Sequence, residues 1–432
     1  MGLSKTVYSA LALSALAVFA PVRARAQDKP FYLHSGDTVV FYGDSITEQR
    51  FYTYWVEVYT ATRFPKMPVE FFNAGIGGDR VTGGGGGPID LRLSRDVFPH
   101  KPSVVTIMLG MNDGSYQPLT PQIESAYKLG YEHILTSLRE NLPTARLTLL
   151  GPSPYDEITR PEMFPGGYNS TLTHFADLDA DLARAHGATF IDLNAPFVAA
   201  LKRGAAVDPL ATELLLPDRV HPEQTAHWFM AQAILKGWNA PALVSSTTLD
   251  AAQAAVVDLR NAQVTGLKAD AASLSWAELE DALPLPLNLD SVSTRFLTQI
   301  TDLVDQLDQE PLKVTGLTPG AYDLLIDGRS VGKFTDLEFA KGVNLALLNT
   351  PMRGQAFTVS WNIRDRDDTH YVRLMMLVNE MKFGVPHQRG EEELTGFEQV
   401  QQNVIYDLAQ PKSHTFKIAP IPASNAAGET TK

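Results

Sequence analysis

From residue 38 to about residue 236, short apolar runs alternate with longer stretches whose apolar residues recur at helical spacing. The runs 39–42, 69–73, 104–109, 146–150 and 189–193 predict buried strands, and 51–63, 89–97, 123–141, 172–186 and 223–237 predict helices. Strand-helix alternation of this kind predicts an α/β fold, a parallel sheet covered by helices on both faces. Ligands of such sheets sit beyond the carboxyl ends of the strands. The polar and glycine-rich residues of this half fall there.

Beyond about Pro241 the pattern changes. Residues 248–310 read as mostly helical, most clearly at 251–259 and 291–307. Segments 312–317, 322–327 and 330–334 alternate like short strands, with turns at Thr318-Pro319-Gly320 and Asp327-Gly328. A helix follows over about 350–380, with Met352, Ala356, Val359, Ile363, Leu374 and Val378 on one face. Three short strands are too few for a free-standing sandwich. Residues 246–418 are therefore expected to form an appended α+β region packed on an α/β domain of residues 27–245. Residues 419–432, polar and poor in large apolar side chains, are expected to be disordered.

The amino terminus adds a location. Lys5, the apolar run 10–20 and Ala24-Arg25-Ala26 form the pattern of a secretory signal peptide over residues 1–26, with the mature chain starting at Gln27. The run falls short of the roughly 20 residues a membrane span requires. A secreted or periplasmic protein without an integral membrane anchor is expected. The formal charge is −13, and loss of Lys5, Arg23 and Arg25 makes the mature chain more acidic still, which argues against nucleic acid as a partner. The chain has no cysteine, which excludes disulfides and a thiol nucleophile.

Four polar blocks carry the candidate chemistry. The first strand runs into Gly43-Asp44-Ser45, a tight turn that presents a serine, with Gly43 supplying freedom at positive φ and the first amides of a helix near Ile46 facing the hydroxyl. After the second strand comes Asn73-Ala74-Gly75-Ile76-Gly77-Gly78-Asp79, and after the third Gly110-Met111-Asn112-Asp113. The last block is Asp218-Arg219-Val220-His221-Pro222, where Pro222 suits the first turn of the closing helix and Asp218 can hydrogen-bond His221. Alone, Asn112 reads as a turn cap and residues 83–87 as a flexible rim loop. No G-x-S-x-G elbow, no His-Glu-x-x-His and no metal-ligand cluster is present, so neither a metal nor a cofactor is implied.

In this order the four blocks resemble the SGNH hydrolases, the GDSL-type esterases and lipases, over about residues 38–237. The resemblance implies a three-layer α/β/α flavodoxin-like sheet and a serine hydrolase. Ser45 would be the nucleophile, His221 the general base and Asp218 the group that orients the imidazole. The amides of Ser45 and Gly78 and the side chain of Asn112 would hold the oxyanion, with Gly75 as the alternative glycine. Tyr52 and Trp55, close after the serine, and Tyr155, on the loop 152–168, are candidate substrate contacts. The implied activity is hydrolysis of carboxylic esters, with short acyl groups on carbohydrate as the leading substrate and a small-molecule or polysaccharide ester as the partner. A lipase or lysophospholipase and a non-catalytic binding protein are the alternatives.

Overall fold

The computed structural model describes residues 30–270, 273–384 and 388–422. Residues 1–26, expected to be a signal peptide, and most of the polar tail lie outside the described residues. The first half runs β1 (Thr38–Gly43), α1 (Ser45–Glu48), α2 (Phe51–Arg63), β2 (Glu70–Gly75), a small hairpin of β3 (Gly83–Gly84) and β4 (Gly87–Pro88), α3 (Ile89–Asp96), β5 (Val104–Met108), α4 (Pro121–Asn141), β6 (Arg146–Leu150), α5 (Tyr168–His186), β7 (Thr189–Ile191), α6 (Asn194–Val207), α7 (Pro209–Glu213) and α8 (His227–Gly237).

Five strands form one parallel sheet in the order β2-β1-β5-β6-β7. Every residue of β5 and all but the first of β1 are buried, as strands covered on both faces must be. Taken in sequence the order is second, first, third, fourth, fifth, the flavodoxin-like winding, whose switch point lies between β1 and β5. Gly43 pairs in register with Gly75 of β2 and Met108 of β5. Three strand ends are therefore level, and the loops that leave them start side by side.

One local expectation needs correction, and one helix was not expected. The final helix starts at His227, so Pro222 is a loop residue and not part of its first turn. Helix α6 has no clear apolar stripe in the sequence because Pro196 and Gly204 interrupt it. Pro196 falls in the first turn, where its missing N–H costs nothing. Gly204 admits Thr212 so closely that a Cβ there would lie 2.7 Å from its Oγ1.

The second half adds β8 (Ser246–Asp250), β9 (Ala255–Arg260), β10 (Ala262–Asp270), β11 (Ser273–Glu280), α9 (Val292–Ile300), α10 (Leu303–Leu307), β12 (Pro311–Thr315), β13 (Ala321–Ile326), β14 (Arg329–Thr335), α11 (Asp336–Lys341), β15 (Val343–Asn344), α12 (Pro351–Phe383), α13 (Gln388–Ala409) and β16 (His414–Pro420). An antiparallel sheet of order β10-β11-β16-β13-β14 and a mixed sheet of order β15-β12-β8-β9 result. Residues 251–259, read as helical, are a turn and a strand. Asp250 accepts the amides of Ala252 and Gln253 and closes a turn that competes with helix despite the alanines. In β11 the burial alternates strictly along Ser-Leu-Ser-Trp-Ala-Glu-Leu-Glu, a period-two signal. Ala419 and Pro420, assigned to the tail, are the end of β16.

The α+β region is joined to the first half through α2, whose two sides serve two cores. Tyr52, Val56 and Tyr59 pack into the core around the parallel sheet. Tyr54 and Val58 pack with Leu249 and Val314 of the mixed sheet, Leu274 and Ile418 of the antiparallel sheet, and Met352, Ala356, Val359 and Ile363 of α12. All six residues expected on the apolar face of α12 are buried. Arg366 of α12 pairs with Glu57 of α2, both almost fully buried. Arg63 at the end of α2 donates to the carbonyls of Pro241 and Leu307 at 3.0 Å each. The described residues from Phe31 onward accordingly make one compact unit. Among the described residues no helix is long and apolar enough to cross a membrane.

Candidate active site

Ser45 is the first residue of α1, half-buried at the end of β1. Asp44 caps the turn, its Oδ1 accepting the Ile46 amide at 3.0 Å. Gly43 does not have a positive φ. It is required by crowding, since a Cβ there would stand 2.1 Å from Thr47 Oγ1 and 2.8 Å from the Met108 carbonyl. Any larger residue would push the serine turn off the end of the sheet.

His221 comes from the far end of the first half and meets Ser45. Its Nε2 is 2.8 Å from Ser45 Oγ and its Nδ1 is 2.6 Å from Asp218 Oδ2. The other Asp218 oxygen accepts the amides of Val220 at 3.0 Å and His221 at 2.8 Å. Burial opposes the charge of Asp218, but the His221 amide and ring and the Val220 amide outweigh it and hold the carboxyl below its ordinary pKa. The carboxylate is thus a fixed acceptor, which sets the proton on Nδ1 and leaves Nε2 free to accept the serine proton. Two ties fix this loop. Arg219, at φ +73°, donates to the Pro161 carbonyl at 2.7 Å. Gln49, four residues after Ser45, donates to the Pro222 carbonyl at 3.1 Å and bonds His227 at 3.2 Å.

The glycine loop after β2 passes close to the serine, because a Cβ on Gly77 would lie 3.8 Å from that of Ser45. The Gly75 amide is already taken by Asn73 Oδ1 at 3.0 Å. Gly78 is exposed with φ +75°, a left-handed conformation that glycine adopts without strain. Residues 83–87, read as a flexible rim loop, are the β3-β4 hairpin packed on this loop. A Cβ on Gly84 or Gly85 would lie 2.4 Å or 2.3 Å from the carbonyls of Gly78 and Gly77. Behind it the buried Arg92 pairs with Asp79 and Asp96 and donates to the Ala74 carbonyl at 2.7 Å. Asn112 brings its Nδ2 to 3.0 Å from the Asp79 carbonyl and 3.5 Å from Asp44 Oδ2, and its Oδ1 accepts the Tyr116 hydroxyl at 3.3 Å. Burial first, then Asp113 and Asp79, push Asp44 up to about 7 against the pull of the Ile46 amide.

The three aromatic candidates fare differently. Tyr52 is not a wall of the site: it is fully buried, its hydroxyl 2.9 Å from Thr47 Oγ1 and its ring stacked on His227. Tyr155 is also largely buried, its hydroxyl on Met163 and its ring packed against Tyr116 and Tyr168, so it supports the Asn112 loop from behind. Trp55 is half-buried, stacked on Trp228 with ring centroids 4.3 Å apart. Sequence reasoning missed the side of the site built by α12. Tyr371 donates to Glu48 Oε1 at 3.0 Å, Arg50 lies over the Tyr371 ring at 4.4 Å, and Arg50 pairs with Asp368 at 3.0 Å. More than 300 residues separate these partners, and no local pattern announces the contact.

A hydroxyl, an imidazole and a carboxylate in this chain of hydrogen bonds, beside a glycine loop and a carboxamide, make an arrangement suited to acyl transfer. Residues 41–229 match the model of the GDSL-like Lipase/Acylhydrolase family. That segment carries a GDSL-like acylhydrolase domain, and the protein is a carboxylic ester hydrolase. An acetylxylan esterase of Geobacillus stearothermophilus is 27% identical over 221 residues, which are 47% of this chain and 94% of that protein. A crystal structure of an acetylxylan esterase from Geobacillus stearothermophilus aligns at 23% identity and TM-score 0.38, over 48% of this chain and 96% of its own. The structure of a gut microbial diltiazem-metabolizing enzyme, 26% identical, aligns over 90% of this chain and 98% of that one with a TM-score of 0.80, so the fold it shares extends through the α+β region.

Proposed function

We propose that the protein is an exported serine esterase that removes acetyl or other short acyl groups from carbohydrate. The observation that carries the catalytic reading is the continuous hydrogen-bond chain from Ser45 Oγ through His221 to Asp218. Ser45 attacks the ester carbonyl while His221 Nε2 takes its proton, and Asp218 stabilises the imidazolium that forms. The oxyanion is held by the amides of Ser45 and Gly78 and by Asn112 Nδ2. Gly78 is preferred to Gly75 because the Gly75 amide is occupied by Asn73. His221 then returns the proton to the leaving alcohol, and water repeats the sequence on the acyl-serine. The signal-peptide pattern supports export, and the acetylxylan esterase relative supports the carbohydrate ester.

A small-molecule ester is the second reading, favoured by the diltiazem-metabolizing neighbour, which shares the whole architecture. Two measurements test the proposal. Ser45→Ala should fold normally, lose covalent labelling by a fluorophosphonate and fall to background on p-nitrophenyl acetate; retained labelling moves the nucleophile elsewhere. For the wild type, rates should drop between acetyl and octanoyl esters and acetylated xylan should be deacetylated. Rates that climb with chain length favour a lipase, and activity confined to small esters favours the second reading.

A further inference from the structure

Beside the His221 loop is a pocket of about 490 Å3 that the catalytic machinery does not use. Its walls come from four separate segments: α2, the loop leading into α8 with the first turn of α8, the stretch 286–294 that runs from the end of β11 into α9, and α12. It exists only because the α+β region packs against the first half. Its volume lies in the range of small-ligand sites.

The lining has a particular chemistry. Trp55, half-buried and stacked on the buried Trp228, presents aromatic surface. Across from them α12 contributes Trp361, which is 64% exposed, far more than a residue of that size needs for packing. The remaining wall mixes the apolar Pro286, Leu287 and Phe357 with neutral polar groups, the amides of Gln224 and Asn288 and the hydroxyls of Ser291 and Thr294. Arg364 is the one charged residue, and its guanidinium lies over the Phe51 ring at 4.7 Å. An acyl chain has no use for so many amides and hydroxyls, and a phosphate or carboxylate would call for more than one cation. Aromatic faces for the C–H side of a ring, ringed by neutral donors and acceptors for its hydroxyls, fit a sugar.

The pocket is also tied to the catalytic loop. Gln224 follows His221 by three residues, so their Cα atoms lie within about 11 Å of each other. Gln49 bonds the carbonyl of Pro222 between them and keeps that spacing rigid. A glycan carrying an ester at Ser45 would therefore place a neighbouring sugar of the same chain at the pocket.

We propose that this pocket is a binding subsite for an unesterified, neutral sugar unit of the substrate chain, built jointly by the two halves, with Trp361 as its open stacking face. The proposal rests on the carbohydrate-ester reading above. It also gives the α+β region a part in choosing the substrate.

The test uses Trp361→Ala and Trp361→Phe in the full chain, with p-nitrophenyl acetate, acetylated xylooligosaccharides and deacetylated neutral oligosaccharides as probes. Trp361→Ala should leave kcat/KM on p-nitrophenyl acetate unchanged. It should lower kcat/KM on acetylated xylooligosaccharides by roughly tenfold through KM, and Trp361→Phe should restore most of the loss. Equal losses on both substrates, or none on either, overturn the proposal. Failure of the carbohydrate reading is seen separately, as a wild type that cleaves p-nitrophenyl acetate and no acetylated glycan. In that case a titration of tryptophan fluorescence with xylo-, manno- and cello-oligosaccharides decides for the pocket: quenching lost in Trp361→Ala supports it. Absence of binding, or binding kept in Trp361→Ala, overturns it. An aromatic ester that shows the Trp361 dependence while oligosaccharides do not reassigns the pocket to an aryl group and overturns it as well.

Discussion

Asp218→Asn should be more damaging than Asp218→Ala, for a reason visible in the hydrogen bonds. One carboxylate oxygen accepts two backbone amides, those of Val220 and His221, and the other accepts His221 Nδ1. In the asparagine variant the carbonyl oxygen must stay on the two amides, so the NH2 is forced to face Nδ1. That nitrogen becomes an acceptor, the ring proton moves to Nε2, and the base offered to Ser45 is lost. The same exchange in a buried serine-protease triad lowers kcat about 10⁴-fold. The charge alone contributes less: at about 4 Å and an effective dielectric between about 20 and 80, the carboxylate-imidazolium attraction is about 1 to 4 kcal/mol. The Asp218 side chain is 54% exposed, which favours the lower end. Asp218→Ala loses that attraction without imposing a tautomer. The expected falls in kcat are therefore about 10³- to 10⁴-fold for asparagine and about 10- to 100-fold for alanine. The assay is p-nitrophenyl acetate turnover with melting temperatures as a folding control, and 15N NMR of His221 reads the tautomer. Asparagine activity within tenfold of wild type, or a retained Nδ1–H in that variant, would refute the reasoning.

Two further outcomes are expected. Arg366→Ala leaves Glu57 buried without its partner, which should cost about 3–5 kcal/mol; Glu57→Gln/Arg366→Met together should recover part of it, and denaturant melts check both. Burial raises Asp308 and Asp44 to about 7 and Asp113 to about 6, so each stabilises fully below its unfolded value near 4 and loses that contribution as pH rises through its folded value. Glu398, held down to about 2 against burial by His370 and Arg373, acts oppositely and is lost only on strong acidification. Thermal melts should therefore show greater stability at pH 5 than at pH 8, and a rise over that interval would contradict the burial of these carboxyls.

The parallel sheet was legible because its strands are short and apolar, and because all but β7 are followed by a helix with a clear stripe. The four polar blocks were legible for a related reason: they leave strand ends or a loop, where chemistry and turn formation select the same few residue types. The second half was read less well. The alanine-rich stretch 251–255 leading into β9 carries a composition that favours helix, and the hydrogen bonds of Asp250 together with sheet pairing overrode it. Strand β16 joins its sheet from the end of the chain, between β11 and β13, and its sequence holds no trace of those partners.

By itself the sequence determined the strand-helix alternation, the serine turn and the Asp-x-x-His loop, features set by spacing within a few residues or by the period of one element, while the strand order and the candidate oxyanion residues came from the resemblance to the SGNH hydrolases. Only the tertiary structure decided which of the following aromatics face solvent and which fill the core, since a ring at a given helical position can serve either side of α2. It also decided that Gly43 answers crowding and not a left-handed turn, and that Gly75 has no free amide. The contacts of Tyr371 with Glu48 and of Arg366 with Glu57 belong to the structure alone, because pairing between residues more than 300 apart is fixed by how two cores share one helix and not by any pattern along the chain.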